Sequence, residues 1–205
     1  MMNNLSIETM NISKELVRDL FNFLKERNYI PMDFNLVCFQ SEDEEFGIDY
    51  SKDFNGCFKL DQLVLPYAIE IEKDGEEYLR EVIKSNYNFD IFNHFENLSN
   101  CLNDIVFSIM HEMGHLHQYL NNTKEEFLRS CQNYTVQLKA VDLYSKFMND
   151  RELEYQYRKI HQEKYADTFA IGVLKQYKNE LEELLKKYDN NEEIEIEMFG
   201  EFFEI

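Results

Sequence analysis

The sequence predicts one domain, residues 1–205, of the α+β class, in which a small mixed or antiparallel sheet precedes a helical C-terminal half. Short β-rich segments separated by acidic or Gly- and Asn-bearing turns fill about residues 30–72. Apolar residues recur at helical spacing through about residues 97–188. With 205 residues, of which 44% are hydrophobic and 15% aromatic, the chain is long enough to bury one sizeable core.

The first predicted element is a helix that runs from Ser13 to about Arg27. Ser13 is a favourable N-cap residue, and Pro31 lies just past the predicted end. One side of this helix is apolar, so we expect it to pack across the back of the sheet that follows. The apolar residues on that side are Leu16, Leu20, Phe21 and Leu24.

Four β-rich segments make up the predicted sheet. Pro66 lies inside the last of them, where it removes a backbone donor, so this segment is predicted at a sheet edge or a bulge. Two interpretations stay open: an ordinary protected edge strand, or an edge that pairs with an extended substrate backbone. The four segments are Leu36–Phe39, Phe46–Tyr50, Cys57–Leu60 and Leu63–Ile71.

Four further helices are predicted after the sheet. The third of these opens with a capping box, Thr123 followed by Glu126, and carries an amphipathic stripe that is typical of a core-facing helix. Residues 192–205 alternate apolar residues with glutamates, which predicts a terminal strand or a frayed tail. The four helices are expected at Glu76–Ser85, Leu98–Leu120, Thr123–Met148 and Arg151–Lys187.

The charge of the chain excludes two classes of partner. It has 21 Lys and Arg against 40 Asp and Glu, which gives a formal net charge of −19. Because binding to nucleic acid phosphates or to anionic membranes requires clustered basic residues, we expect neither. An acidic surface can attract basic protein partners, although it more commonly serves solubility.

Neither the N-terminus nor the cysteines indicate export. The first residues lack the basic and apolar regions of a signal peptide, and no apolar run approaches the roughly 18 residues that span a bilayer. The four cysteines are scattered without a C-x-x-C pair, which is typical of reduced, buried thiols. The expected location is therefore the cytoplasm.

The central apolar segment contains His111-Glu-Met-Gly-His115, an H-E-x-x-H motif. Four residues of helix turn by about 400°, so His111 and His115 project from one face and can bind one metal ion. Glu112 lies beside that face, where it can take a proton from a water on the open side of the metal. The motif therefore predicts a metal-binding face on a half-buried helix.

A catalytic zinc usually has three protein ligands, so the two histidines need a third. His117 lies about 200° around the helix from His115, and we expect it at the surface. His161 is possible, but Glu163 is the better candidate. Glu163 and Asp167 are four residues apart on one helical face with alanines beside them, which allows this helix to approach the motif helix closely. Asp167 can then accept a hydrogen bond from a ligand histidine.

Together, His111-Glu-x-x-His115 and Glu163-x-x-Ala-Asp167-x-Phe-Ala resemble the gluzincins, zinc metallopeptidases whose third ligand is a glutamate on a later helix. Among these, the pattern is most similar to the ImmA/IrrE-type peptidases of bacteria and their mobile elements. The resemblance covers about 30 residues of the chain. It implies a zincin-like fold, one Zn²⁺ per chain held by His111, His115 and Glu163, and cleavage of a cytoplasmic protein, which in that family is often a DNA-binding repressor.

The predicted function is a zinc-dependent endopeptidase in which Glu112 acts as general base on a zinc-activated water. The developing oxyanion needs a second donor, and Tyr157, His161 and Tyr165 are all close to Glu163 in sequence. Helical spacing does not choose among these three. An acidic protein-binding or inhibitor module with a structural or vestigial metal site is the alternative, and hydrolysis of a non-peptide substrate also stays open.

Overall fold

A computed structural model describes residues 7–32, 36–40, 47–52, 58–66, 68–72, 78–189 and 201–204. These residues form seven α-helices, six strands and two short 3-10 helices at Ser145–Phe147 and Lys186–Tyr188. The helices are α1 (Lys14–Glu26), α2 (Tyr78–Tyr87), α3 (Asn100–Asn121), α4 (Lys124–Tyr144), α5 (Asp150–Tyr157), α6 (His161–Gln176) and α7 (Lys178–Leu185). The strands are β1 (Ile7–Asn11), β2 (Leu36–Gln40), β3 (Gly47–Lys52), β4 (Phe58–Pro66), β5 (Ala68–Glu72) and β6 (Glu201–Glu204).

Two helices begin where the sequence places their capping residues. The Ser13 side chain accepts a hydrogen bond of 3.1 Å from the Leu16 backbone N–H at the start of α1. At the start of α4, Thr123 and Glu126 form both hydrogen bonds of a capping box. These caps confirm the predicted N-termini of α1 and α4.

The predicted single helix from Arg151 to Lys187 is wrong, because three helices occupy this stretch. A turn at residues 158–160 separates α5 from α6, and it is closed by a 2.9 Å hydrogen bond from the Ile160 backbone N–H to the Tyr157 carbonyl. Tyr177, with φ −116° and ψ 27°, separates α6 from α7. The apolar periodicity of the sequence continues across both breaks, although α5 has no fully buried residue, so periodicity alone does not reveal them.

The predicted α+β, zincin-like class with one small N-terminal sheet is also wrong. Among the residues whose side chains are described, the regular structure is helical. Strand accounts for 1% of these residues, and they form no sheet. The strands whose backbone is described pair in two separate groups: β1 with β5, and the order β3-β4-β2-β6. The four-strand group includes β6, which lies at residues 201–204, so it is not made of N-terminal strands alone, as the prediction required. An alternating pattern can identify a strand, but it does not identify the strand's partner.

The segment Leu63–Ile71, predicted as one strand at an edge or a bulge, is only partly an edge strand, because in the described part of the chain β5 pairs with β1 alone. The expected segment Leu63–Ile71 belongs to two strands, because β4 ends at Pro66 and β5 begins at Ala68. β4 lies between β3 and β2 and is therefore an inner strand. Pro66 is the last residue of β4, opposite Gln40, so its missing donor falls at the end of the ladder. The stretch 190–200, which contains most of the predicted C-terminal alternation, lies outside the described residues.

The hydrophobic core is built around α3, which is buried along most of its length against α1, α6 and the aromatic loop of residues 88–98. Asn103 of α3 holds this loop in place. Its side chain accepts a hydrogen bond of 3.0 Å from the Phe95 backbone N–H and donates one of 3.2 Å to the Phe95 carbonyl. In the described part of the chain, no helix combines the length and apolar character that crossing a membrane requires.

Candidate metal centre

The two halves of the predicted site meet where α3 packs against α6. A Cβ atom added to Gly114 would lie 2.7 Å from the Ala166 Cα and 3.0 Å from the Ala166 carbonyl oxygen. No side chain fits at that distance, so glycine is required on α3, and the small Ala166 faces it on α6. This contact brings the face of α3 that carries His111 and His115 up to Glu163.

His111, His115 and Glu163 form a compact set of potential metal ligands. The two oxygens of Glu163 each face one histidine, with 3.2 Å to His111 Nε2 and 3.7 Å to His115 Nε2. All three residues offer ligand atoms that lie within 4.8 Å of one another. Two imidazole nitrogens and one carboxylate oxygen are a donor set that zinc prefers, and His115 is only half-buried, so one side of the set faces solvent.

Asp167 fixes the orientation of His111. Its Oδ1 atom lies 2.9 Å from His111 Nδ1, and its carboxylate is fully buried. The Tyr87 hydroxyl, which sequence reasoning did not single out, donates a hydrogen bond of 3.5 Å to the other oxygen. With Nδ1–H donated to Asp167, His111 presents Nε2 towards Glu163, and Nε2 is the nitrogen that would bind a metal.

Arg158, from the turn between α5 and α6, also contacts this network. Its Nη1 atom donates to Asp167 Oδ1 at 3.1 Å, and its Nε atom donates to Glu154 at 2.6 Å. Nη1 is 3.4 Å from both ring nitrogens of His111, so the guanidinium lies against the face of the imidazole. The sequence prediction missed Arg158 because it placed this residue inside a continuous helix.

The buried charges of the site perturb one another. Burial raises the pKa of Glu163, but hydrogen bonds to His111 and His115 outweigh it and hold that pKa well below the ordinary value. Burial lowers the pKa of His111, but Asp167 and Glu163 raise it to about 9. Three buried carboxylates, those of Glu112, Glu163 and Asp167, lie at the site together with the guanidinium of Arg158, so the site carries excess negative charge when both histidines are neutral. A divalent cation would balance this excess, so the residues present fit a bound metal.

Glu112 lies at the edge of the ligand set. Its Oε1 atom is 4.0 Å from His111 Nε2, and the residue is buried. Glu112 is therefore next to the three candidate ligands but is not one of them. This is the position that a general base needs if it is to act on a water bound next to the histidines.

Two tyrosines line the same side of the site. The hydroxyls of Tyr134 on α4 and Tyr157 on α5 are 3.4 Å apart. Burial and then the charge of Glu163 raise the pKa of Tyr157 well above its ordinary value. Burial also raises the pKa of Tyr134, with further contributions from Glu163 and Glu112. Both hydroxyls therefore keep their protons. The sequence prediction included Tyr157 but not Tyr134, which belongs to the amphipathic stripe of the predicted helix Thr123–Met148.

The other two predicted oxyanion donors lie elsewhere. His161 is exposed, and its backbone N–H points to Gln137 at 3.4 Å. The Tyr165 hydroxyl is 2.9 Å from Nδ1 of His117, with the two rings stacked. His117 itself is half-buried beside Phe169 and contacts Tyr165, so it points away from the ligand set, as predicted, and is only partly exposed. Of the three predicted donors, the structure therefore brings Tyr157 to the ligand set.

The chain matches no protein-family model, no curated protein and no solved structure. The site is therefore defined by its own geometry. It is a candidate metal site. Its ligands are His111, His115 and Glu163, which are held together by the α3–α6 contact and can hold one ion.

Proposed function

We propose that the protein is a zinc-dependent endopeptidase. The observation that carries this proposal is the convergence of His111, His115 and Glu163 within 4.8 Å, with Glu112 beside them. Three protein ligands with one solvent-facing side are the usual arrangement of a catalytic zinc site. A structural site has no need for Glu112, so this residue favours catalysis over a purely structural or vestigial metal.

Zinc, when bound, polarises the scissile carbonyl and acidifies a neighbouring water. Glu112 accepts a proton from that water while the water oxygen attacks the carbonyl carbon. Glu112 then gives the proton to the leaving amine as the C–N bond breaks. Tyr157 donates its O–H to the carbonyl oxygen as negative charge develops there. The products are a carboxyl group, which keeps the oxygen of the water, and a free amine.

Asp167 and Arg158 act on this reaction through His111. Asp167 accepts a hydrogen bond from the Nδ1–H group of His111, which leaves Nε2 as the ligand atom. Arg158 holds the same Asp167 oxygen and covers the imidazole ring, which restrains both side chains. These two residues therefore position the ligand and do not contact the substrate.

The substrate class follows from the motif and the charge. The resemblance to gluzincins, and to ImmA/IrrE-type peptidases among them, supports cleavage of a peptide bond in a cytoplasmic protein. The net charge of −19 favours a basic protein or peptide over an acidic one. For the same reason we propose no role for nucleic acid or for a membrane.

The substitution Glu112→Gln tests this function. It keeps the shape of the side chain but removes its capacity to take a proton, so cleavage should cease while zinc remains bound. Zinc content is measured by elemental analysis, and cleavage by mass spectrometry with a library of unfolded basic peptides. Glu125→Gln, at an exposed position in the first turn of α4, is the matched control and should cleave like the wild type. Cleavage retained by Glu112→Gln, or a wild type that binds no zinc, would contradict the proposal.

A further inference from the structure

Helix α4 has two chemically different faces. Its inner face carries the half-buried Tyr134, whose hydroxyl meets Tyr157 beside the metal centre, together with other half-buried residues at spacings of three and four. Its outer face points to solvent. The half-buried residues on the inner face and just beyond it are Cys131, Leu138, Val141, Ser145 and Met148.

The outer face is apolar although it is exposed. Val136 is 68% exposed, Leu143 is 74% exposed, and Phe147, in the 3-10 turn that continues α4, is 84% exposed. Ala140 lies between them and is also exposed. Val136, Ala140, Leu143 and Phe147 together form what we call the α4 stripe. At about 100° per residue, it lies opposite Tyr134.

The spacing of the α4 stripe matches a helix-pairing surface. Its members are separated by four, three and four residues, so Val136 and Leu143 repeat after seven positions, as do Ala140 and Phe147. This is the a and d pattern with which one helix packs against another in a coiled coil. Large exposed apolar groups in a continuous row indicate an interaction site, whereas single ones are ordinary. The shape that fits such a convex row is another helix.

Two lysines, with the exposed Asp142 between them, lie along one edge of the α4 stripe. Lys139 and Lys146, seven residues apart, lie along one side of it, and both are exposed. Neither forms an ion pair with any residue in the described part of the chain. In a protein with a net charge of −19, two unpaired lysines that follow the apolar row select for negative charge on whatever binds there.

We propose that the α4 stripe is the docking surface for an amphipathic helix of another protein, whose apolar face is flanked by acidic residues. The flanking positions of a coiled coil determine the choice of partner, so Lys139 and Lys146 specify the acidic flanks. A second copy of this chain fits less well. Antiparallel pairing of two α4 stripes would oppose lysine to lysine, and each copy carries the same net charge of −19. This inference does not depend on the metal centre.

Fluorescence anisotropy with a labelled synthetic helix tests the proposal on the full chain. The probe has about three heptads, with Leu at the a and d positions and Glu at the flanking positions. A matched probe has Lys in place of Glu. The wild type should bind the Glu probe at least about tenfold more tightly than the Lys probe. The substitution Leu143→Asp should abolish binding, and the double substitution Lys139→Glu, Lys146→Glu should reverse the preference.

Met32→Asp is the control, because Met32 is an exposed apolar residue (71%) outside α4. It should bind the Glu probe like the wild type. All variants change exposed positions, and circular dichroism checks that their helix content is preserved. Failure to bind the Glu probe, or equal binding by Leu143→Asp, overturns the proposal. A dimer seen by sedimentation velocity that Leu143→Asp dissociates would assign the surface to a second copy and would overturn it too.

Discussion

The Gly114 and Ala166 backbones are in direct contact, and this contact determines how closely the two ligand-bearing helices approach. A Cβ on Gly114 would lie 2.7 Å from the Ala166 Cα, which is inside van der Waals distance. His111 and His115 lie on either side of Gly114 in α3, and Glu163 precedes Ala166 on α6. The separation of the candidate metal ligands is therefore controlled by a glycine that is not one of them.

Substitution of Gly114 by Ala should separate the two helices. Overpacking of this kind costs about 1–3 kcal/mol of unfolding free energy, and zinc affinity should fall because the ligands move apart. The control is Gly172→Ala in α6, where an added Cβ meets nothing within 4 Å. It should stabilise the helix by up to about 1 kcal/mol. Urea unfolding and zinc titration measure both variants, and equal effects of the two substitutions would show that the contact does not matter.

Removal of zinc should lower the thermal stability of the protein. A ligand that binds only the folded state at about a thousand times its Kd stabilises that state by about 4 kcal/mol. We therefore expect the melting temperature to fall when a chelator is added to the wild type. His115→Ala should melt at one temperature with or without the chelator, because it lacks one of the three ligands. A zinc-dependent shift that persists in His115→Ala would mean that the ion binds elsewhere.

Tyr157→Phe should reduce kcat by about a hundredfold, because it removes one donor to the developing oxyanion. Zinc affinity should not change, since Tyr157 is not a ligand. Tyr165→Phe is the matched control, because it removes a hydroxyl that contacts His117 at 2.9 Å. Its kcat should equal that of the wild type. Steady-state kinetics with a peptide that the wild type cleaves measures kcat for both variants. A reduced kcat for Tyr165→Phe, with an unchanged kcat for Tyr157→Phe, would assign the oxyanion donor to Tyr165 instead.

Asp90 should make stability depend on pH in the acid range. Burial raises the pKa of Asp90, but hydrogen bonds from Arg80, Lys84 and Asn93 outweigh it and hold the pKa well below its ordinary value. A lowered folded-state pKa gives stability that is present above the unfolded pKa of about 3.9 and is lost as the pH falls towards the folded value.

The substitution Asp90→Asn should therefore destabilise the protein by about 1.5 kcal/mol at pH 7. The difference in unfolding free energy between the variant and the wild type should become smaller as the pH falls below about 4. Asp142→Asn, at an exposed position of α4, should have the same unfolding free energy as the wild type at both pH values. Urea unfolding at pH 7 and pH 3 measures both variants. A gap that stays constant over this range would contradict the ionic origin of the stabilisation.

The ligand set could be predicted from sequence because it depends on local geometry. His111 and His115 share a face whenever the segment is helical, and Glu163 and Asp167 do so for the same reason. The alanines beside Glu163 and Asp167 already indicated that this helix could approach the motif helix closely. The structure places Asp167 and Glu163 at hydrogen-bond distance from the two ring nitrogens of His111.

The surroundings of the site could not be predicted, because they depend on where whole elements turn. Arg158 reaches His111 only because α5 ends at Tyr157 and the chain turns before α6, a break that the continuous apolar periodicity conceals. Tyr134 reaches the site because α4 lies across it, which depends on contacts distant in sequence. Strand pairing is also non-local: β2 pairs with β6 from the far end of the chain. Patterns within one segment carry no information on such pairings.

The separation of the ligands along the chain has a consequence during synthesis. Glu163 follows His115 by 48 residues (163 − 115), and α4 and α5 are made in between. A ribosome adds residues from the N-terminus onward, so the growing chain exposes both histidines well before the third ligand exists. An unfinished or truncated chain that stops before α6 holds two of the three ligands and none of the Ala166 contact. The proposed peptidase therefore lacks its third ligand until α6 has been translated, and a copy that terminates before α6 cannot assemble the candidate metal site.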